Sequence, residues 1–204
     1  MMDEAVLRVL KEYDARIERE RPFMENPGPE LRNRRDEFLL AVGPATATIL
    51  NVLAKGMKAK SILEIGSSYG YSTIFLAEAA RETGGKVISL ELVEDKVKYA
   101  RERLRQAGLD TFVDFRIGSA LDTLSRLDGP FDFVLVDLWK DLYVPCLELI
   151  YDKLSPGALV AADNMLYPEM ARADAEKYQR RVRELEFDTL LLPVGSGVEL
   201  SRRR

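Results

Sequence analysis

From Ser61 onward the sequence switches repeatedly between two periods, and that alternation constrains the fold more than any other feature. Short apolar runs at Ser61–Ile65, Lys86–Glu91, Phe112–Ile117, Phe131–Val136 and Ala158–Ala162 are separated by stretches of helical spacing. Those stretches cover Ser72–Glu82, Glu94–Ala107, Ala120–Leu127 and Leu142–Leu154. Parallel strands cannot be joined by a tight turn, so strands separated by helices predict a parallel sheet with crossover helices on its faces. The runs around Val134 and Val160 are apolar at every position, as burial on both faces requires. The ending differs. A helix over 168–186 leads to Phe187–Leu192, then to Gly195-Ser196-Gly197 and Val198–Leu200, which predicts an antiparallel hairpin. Together these elements predict an α/β fold: a doubly wound, seven-stranded sheet, mostly parallel, with a C-terminal antiparallel hairpin.

The region before Ser61 is helical. Val6, Leu7, Leu10, Tyr13 and Ile17 recur at helical spacing. Asn26-Pro27-Gly28-Pro29 breaks that helix. A second helix is expected from about Glu30 to before Gly43-Pro44, and a third from Pro44 to about Gly56. The length of 204 residues and the 47% hydrophobic content suit one domain, 1–204, with a real core.

Composition removes several chemistries. The chain has no histidine, which excludes Ser-His-Asp and Cys-His nucleophile systems and every histidine metal site. The single cysteine, Cys146, excludes an intrachain disulfide and a CxxC zinc site, and its apolar helical surroundings place it in the core. A net charge of −4 argues against general nucleic-acid binding. No run reaches the ~18–20 apolar residues of a membrane span, and the N-terminal stretch lacks a signal peptide's apolar region. A cytoplasmic location is the expectation. Arg202-Arg203-Arg204 reads as a solvated tail.

In doubly wound sheets ligands bind beyond the carboxyl ends of the strands, so the residues just after each strand matter most. The first strand is followed by Gly66-Ser67-Ser68-Tyr69-Gly70-Tyr71-Ser72, a turn in which glycine permits close ligand approach. The second ends in Glu91, where a carboxylate can accept hydrogen bonds from both hydroxyls of a ribose. Together they favour an adenosine cofactor over an ordinary βα turn. Gly118-Ser119-Ala120 follows the third strand and offers a flat, small surface; Ser119 is also a natural helix N-cap. Asp137 follows the fourth strand and Asp163-Asn164 the fifth. Two carboxylates and an amide oxygen are hard ligands suited to Mg²⁺, leaving three octahedral positions for two adjacent substrate oxygens and a water. Asp-Asn also occurs in ordinary turns, and it is the joint placement that points to a site.

These motifs together resemble the catechol and caffeoyl-coenzyme-A type of S-adenosylmethionine-dependent O-methyltransferase. Leu63-Glu64-Ile65-Gly66-Ser67-Ser68-Tyr69-Gly70-Tyr71-Ser72 resembles that family's cofactor motif. Its Asp-x-x-Lys-x-x-Tyr pattern falls on Asp137, Lys140 and Tyr143, and its Asp-Asn pair on Asp163 and Asn164. Leu192–Gly197 is similar to its last hairpin. The resemblance implies a Rossmann-like methyltransferase sheet over 59–204 that binds S-adenosylmethionine through Val42, Glu64, Gly66, Ser67, Gly70, Ser72, Glu91, Ser119, Ala120 and Asp137. It implies Asp137, Asp163 and Asn164 as ligands of Mg²⁺ or another divalent cation, and Lys140 as general base. It also implies that the helices within 1–58 contribute to the acceptor site and to a homodimer. Three departures stand out. Ser119 occupies a position where many relatives have an acid, Trp139 one where smaller residues are common, and Met165–Glu169 is short, without a long substrate-specific insertion.

The implied chemistry needs few parts. The sulfonium already activates the methyl group, so the protein must align an oxygen behind it. A cation lowers the pKa of that hydroxyl and a neutral amine takes its proton. A small-molecule acceptor with vicinal hydroxyls is the leading expectation. Hydroxylated uridine in transfer RNA is an alternative, to which Arg32, Arg34 and Arg35 would contribute. A non-catalytic nucleotide-binding module is a third reading, opposed by the intact Asp137, Lys140, Asp163 and Asn164.

Overall fold

The computed structural model describes residues 2–25 and 34–204. Helices α1 (Glu4–Glu25) and α2 (Pro44–Gly56) precede an alternating series. It runs β1 (Ser61–Ile65), α3 (Tyr71–Thr83), β2 (Lys86–Glu91), α4 (Glu94–Gln106), β3 (Val113–Ile117), α5 (Ala120–Arg126) and β4 (Phe131–Val136). It continues through α6 (Tyr143–Tyr151), β5 (Leu154–Ala162), α7 (Arg172–Glu184), β6 (Phe187–Leu192) and β7 (Val198–Arg203). The seven strands form one sheet in the order β3-β2-β1-β4-β5-β7-β6. β1 to β5 are parallel, and β7 runs antiparallel between β5 and β6. The fold is the doubly wound sheet with a terminal hairpin that the alternation predicts.

Why the central strands read apolar throughout is visible in where alternate side chains go. Leu63 and Ile65 of β1, with Val134 and Val136 of β4, pack toward α5, α6 and α7. Ile62 of β1, with Phe133 and Leu135 of β4, packs against Leu50 and Ala54 of α2 and Leu76, Ala79 and Ala80 of α3. A third cluster joins α1, α3 and α4 through Val9, Tyr13, Tyr71, Ile74, Val97 and Ala100. Cys146 is buried among the α6 residues, and burial pushes its thiol up to about 12, in keeping with the core role expected of it.

The register then sets the site. Ile65 pairs with Leu90 and with Val136, Glu91 with Ile117, and Val136 with Ala162. The carboxyl ends of all five parallel strands are therefore level, and Gly66, Leu92, Gly118, Asp137 and Asp163 emerge along one rim. The order reverses between β1 and β4, which is where a crevice opens in such sheets.

Four expectations are corrected. Within the described residues no second helix reaches Gly43. Arg35–Glu37 makes one 3-10 turn and the chain then runs irregularly, with Leu40 and Gly43 at φ 47° and 83°; Leu39 N–H is taken by the Glu20 carboxylate, and the residue before Pro44 is disfavoured in a helix. The helix from 142 ends at Tyr151, and Leu154 already pairs with Phe131. Pro156 and Gly157 lie in the irregular part of β5, where Phe133 next pairs with Leu159. The last helix starts at Arg172, after a 3-10 turn at Glu169–Ala171. Finally, Arg202 and Arg203 belong to β7. Arg202 pairs with Leu159 and Asp188, and the Arg203 guanidinium donates to the Leu154 carbonyl and lies 5.1 Å from the Tyr151 ring centre. Charge alone suggested a tail; strand pairing overrides it. Arg203→Ala should therefore cost about 1–2 kcal/mol in denaturant unfolding, through the orphaned carbonyl and the lost ring contact. A solvated tail would change stability by less than about 0.5 kcal/mol.

Candidate active site

The loop after β1 is built by close backbone approach. A Cβ on Gly66 would stand 2.0 Å from the Asp137 carbonyl oxygen, so only glycine lets the first loop pass the fourth. Gly70, at φ 90°, opens α3; a Cβ there would lie 2.6 Å from the Ala100 Cβ. Gly66 and Ser67 both donate N–H to the Leu90 carbonyl, at 3.0 and 3.2 Å. Between the glycines, Ser68 sits at φ 46°, and its N–H donates to Glu91 Oε2 at 2.8 Å. The same Glu91 carboxylate accepts from Val93 N–H at 3.0 Å. Glu91 thus stands beside the Gly66–Ser72 loop, as the ribose reading requires. Ser68 Oγ is buried without a hydrogen-bond partner among the described residues. The motif alone does not single out Ser68; its unpartnered hydroxyl marks it as a further candidate for cofactor contact.

Glu64 lies in β1, two residues before Gly66. It is wholly buried, and its oxygens accept hydroxyl hydrogens from Ser72, Thr73 and Ser89, each at 2.6 Å. Burial lifts its pKa to about 7 despite those three donors. Its side chain is spent on fixing the first turn of α3 against β2, and it reaches the loop through Ser72. Val42 is buried beside Tyr71, and its carbonyl lies near the Gly195 turn. Ser119 caps α5, accepting from Asp122 N–H at 3.4 Å, while Gly118 N–H donates to the Glu91 carbonyl at 2.9 Å. Ala120 follows as the first residue of that helix, half-buried on the same rim.

The acidic cluster forms at the ends of β4 and β5. Asp137 N–H extends the ladder to the Ile65 carbonyl at 2.9 Å, and Asp163 N–H to Val136 at 3.1 Å, which puts the two acids side by side. Asn164 turns at φ 55°, a conformation asparagine tolerates better than most residues. A 3-10 turn at Lys140–Leu142 swings Lys140 back over this cluster. Its Nζ donates to Asn164 Oδ1 at 3.0 Å and to the Leu138 carbonyl at 3.2 Å, and lies 3.9 Å from Asp137 Oδ1. It also donates to the buried Tyr143 hydroxyl, which itself donates to the Asp163 carbonyl at 3.1 Å. All four residues of the predicted catalytic and metal set converge, with Tyr143 as the brace beneath Lys140.

Both carboxylate oxygens of Asp163 are buried and have no hydrogen-bond partner among the described residues. Burial and the neighbouring Asp137 push its pKa up to about 8. Burial likewise lifts Asp137, against the pull of the Lys140 ammonium. A buried, unpartnered carboxylate beside a second one needs a proton or a cation, and hard oxygens of this kind fit a divalent ion. No three Asp, Glu, His or Cys side chains converge among the described residues, so an ion here would rest on two acids and the Asn164 amide.

Two surface clefts lie elsewhere. One of about 330 Å³ covers the β3 edge near Arg101 and Phe115. The other, about 390 Å³, sits at the opposite end of the sheet around Asp132, whose carboxylate is taken by Lys60, Ser61 and Ser155. Of the arginines near the second loop, Arg34 is paired with Glu37, and Arg32 lies outside the described residues.

The sequence model of the O-methyltransferase family matches residues 30–204. The chain belongs to that family. A catechol O-methyltransferase of Niastella koreensis is 35% identical over 131 residues, which span 62% of this chain but only 59% of that enzyme. Caffeoyl-CoA O-methyltransferase 2 of Eucalyptus globulus is 33% identical over 187 residues, 81% of this chain and 75% of the relative. Among solved structures, the O-methyltransferase from Bacillus cereus in complex with SAH superposes with a TM-score of 0.77 at 25% identity, covering 99% of this chain and 91% of that one. TomG from Streptomyces achromogenes, in complex with SAM, gives 0.75 at 26%, covering 100% and 91%. This O-methyltransferase has no helix among its described residues long and apolar enough to cross a membrane.

The Asp163 environment gives a direct test. An unfolded aspartate loses its proton near 3.8, whereas the native group holds it to about 8. Over that window the native state binds the extra proton, so this group makes metal-free protein less stable as pH rises, levelling off above the native value. Asp163→Asn removes the ionisation. Between roughly pH 5 and 8, the stability of wild type relative to Asp163→Asn should fall in denaturant melts made with chelator. Parallel curves would mean that Asp163 is not buried as a strained carboxylate.

Proposed function

We propose that this O-methyltransferase carries the methyl group of S-adenosylmethionine to one hydroxyl of a small catechol-like acceptor, assisted by a divalent cation. The observation that carries the reading is Asp163, a buried carboxylate with both oxygens unpartnered, set beside Asp137 and under Lys140.

On the cofactor side, the Gly66–Ser72 loop offers close backbone approach and Glu91 offers two acceptor oxygens for the ribose hydroxyls. Ser67, Ser68 and Gly70 line the loop, with Val42 alongside, while Ser119 and Ala120 flank the adenine side. Asp137 faces both the cofactor amine and the cation. The side-chain oxygens of Asp137, Asp163 and Asn164 are the donor set for Mg²⁺ or a similar ion. Such an ion supplies Lewis acidity that makes an acceptor hydroxyl easier to deprotonate.

The chain's own residues do the remaining work. Asn164 and Tyr143 hold Lys140 Nζ in one direction, and in its neutral form that amine accepts the proton of the acceptor hydroxyl. The resulting oxygen nucleophile needs only alignment with the methyl group, since the sulfonium is already activated. Trp139, 51% exposed, and Leu166, 40% exposed, stand next in sequence to Lys140 and the Asp-Asn pair, so an aromatic acceptor finds apolar surface there. The Leu166 segment is pinned to the hairpin by N–H bonds from Met165 and Leu166 to Gly197 and Ser196. The reading includes the helices within 1–58 as the acceptor-side and homodimer-forming part of the domain.

Two measurements check this. In a thermal melt, Mg²⁺ should raise the Tm of wild type and leave Asp163→Asn unmoved, and chelator should abolish turnover reversibly; turnover undiminished in excess chelator would remove the ion from the mechanism. Assayed with a catechol and its mono-hydroxy analogue, wild type should prefer the diol. On the diol, Lys140→Ala should lower kcat by about 10²–10⁴ with little change in cofactor affinity. Lys140→Arg should not restore it, because a guanidinium keeps its proton. Rescue by arginine would reduce Lys140 to a positive charge.

A further inference from the structure

Helix α1 touches the cofactor loop through a set of contacts that simple packing does not require. We propose that Arg16 and Glu20 form a clasp that locks the cofactor loop to the strap Asp36–Val42 and so slows the escape of bound cofactor. They are positioning residues, and the inference rests on the reading of Gly66–Ser72 and Val42 as the cofactor's surroundings.

The centre of the device is Tyr69, midway along that loop. The Arg16 guanidinium lies 4.3 Å from the centre of the Tyr69 ring and 5.5 Å from that of Tyr99. Its Nη2 donates to the Glu37 carbonyl at 2.9 Å, and its Nε donates to Glu20 Oε1 at 2.6 Å. The other Glu20 oxygen, Oε2, accepts from Leu39 N–H at 2.7 Å. One ion pair on α1 therefore satisfies both the carbonyl at the end of the 3-10 turn and an N–H of the irregular segment that follows it. Its side chains are only 18% and 17% exposed. Exposed pairs at this helical spacing contribute little, but a shielded pair that also serves main-chain groups leaves several orphans when broken.

Further ties converge on the same residue. The Tyr69 hydroxyl donates to the Asp36 carbonyl at 3.1 Å, and Tyr13 donates to the Tyr69 carbonyl at 2.6 Å. The Asp36 carboxylate is held by Lys96 Nζ at 3.0 Å, and Lys96 is nearly buried. Next along the loop, the Tyr71 hydroxyl donates to Asp14 Oδ1 at 3.0 Å. Tyr69 is thus gripped at its ring, its hydroxyl and its carbonyl. The strap runs on from Leu39 to Val42, which is buried in the same apolar cluster as Tyr71 at the start of α3. Strap and loop cannot separate without breaking the Arg16 and Glu20 bonds, and their separation is the motion that would open this side of the cofactor site.

The test measures binding of S-adenosylhomocysteine (SAH) to the full chain by calorimetry and stopped flow. Arg16→Ala should weaken SAH by about tenfold, chiefly through faster dissociation. Arg16→Lys should not restore it, since an ammonium cannot lie flat on Tyr69 while bonding Glu20 and Glu37. Glu20→Gln offers a single acceptor oxygen for two donors and should weaken SAH by roughly threefold or more. In hydrogen exchange, SAH should slow the Leu39 and Tyr69 amides of wild type, and Arg16→Ala should lose that protection. Val182→Ala, on the buried face of α7, is the control: it should lower Tm while leaving SAH affinity within about twofold. Arg16→Ala and Glu20→Gln binding SAH like wild type would overturn the clasp, as would a Val182→Ala loss of equal size. If Arg16→Ala does not fold, Glu20→Gln decides alone. Failure of wild type to bind SAH would instead overturn the reading of the cofactor site itself.

Discussion

The contact on which the functional end of this molecule depends is between two backbones. Gly66 passes the Asp137 carbonyl so closely that the smallest side chain would overlap it. This happens where the strand order turns back on itself, between β1 and β4. The loop that follows β1 and the loop that follows β4 are forced into one crevice, and the cofactor motif and the acidic cluster thereby become one site. Level registers across five strands extend the same rim from Gly118 to Asp163.

Along that rim the carboxylates are treated differently. Glu64 is buried and given three hydroxyls, which turns it into a brace for α3. Glu91 accepts two backbone N–H groups and keeps the loop at its side. Asp163 is buried with no hydrogen-bond partner for its carboxylate among the described residues, and Asp137 shares its neighbourhood with Lys140. The same functional group serves as brace, as hydrogen-bond anchor or stands as an unpaired acid according to the partners each position supplies.

The sheet was legible because its signals are local and repeated. A doubly buried strand such as Phe131–Val136 must be apolar throughout, and a crossover helix must keep its 3.6 period. The placement of Asp137, Lys140 and Asp163-Asn164 was legible for a related reason: they follow strands, and strand ends converge. What escaped the sequence is tertiary. Nothing in the run from 34 to 43 says that side chains of α1 will claim its backbone and keep it out of a helix. Three consecutive arginines carry no sign that a strand will recruit two of them. The role of Glu64 was invisible because its three hydroxyl partners come from β2 and from α3. The grip of Arg16 on Tyr69 joins residues 53 positions apart by sequence number, the difference of 69 and 16, and no pattern along the chain announces it.

The strand order also carries a consequence for how the chain is assembled. β6 sits at the edge of the sheet, and its neighbour there is β7, which follows it in sequence and separates it from β5. During synthesis, β6 leaves the ribosome before the strand that will join it to the sheet exists. Until β7 slides between β5 and β6, the open flank of β5 and both flanks of β6 present unsatisfied backbone groups. The last strand of the sheet is therefore a wedge, and closing that edge comes late in the assembly of the sheet.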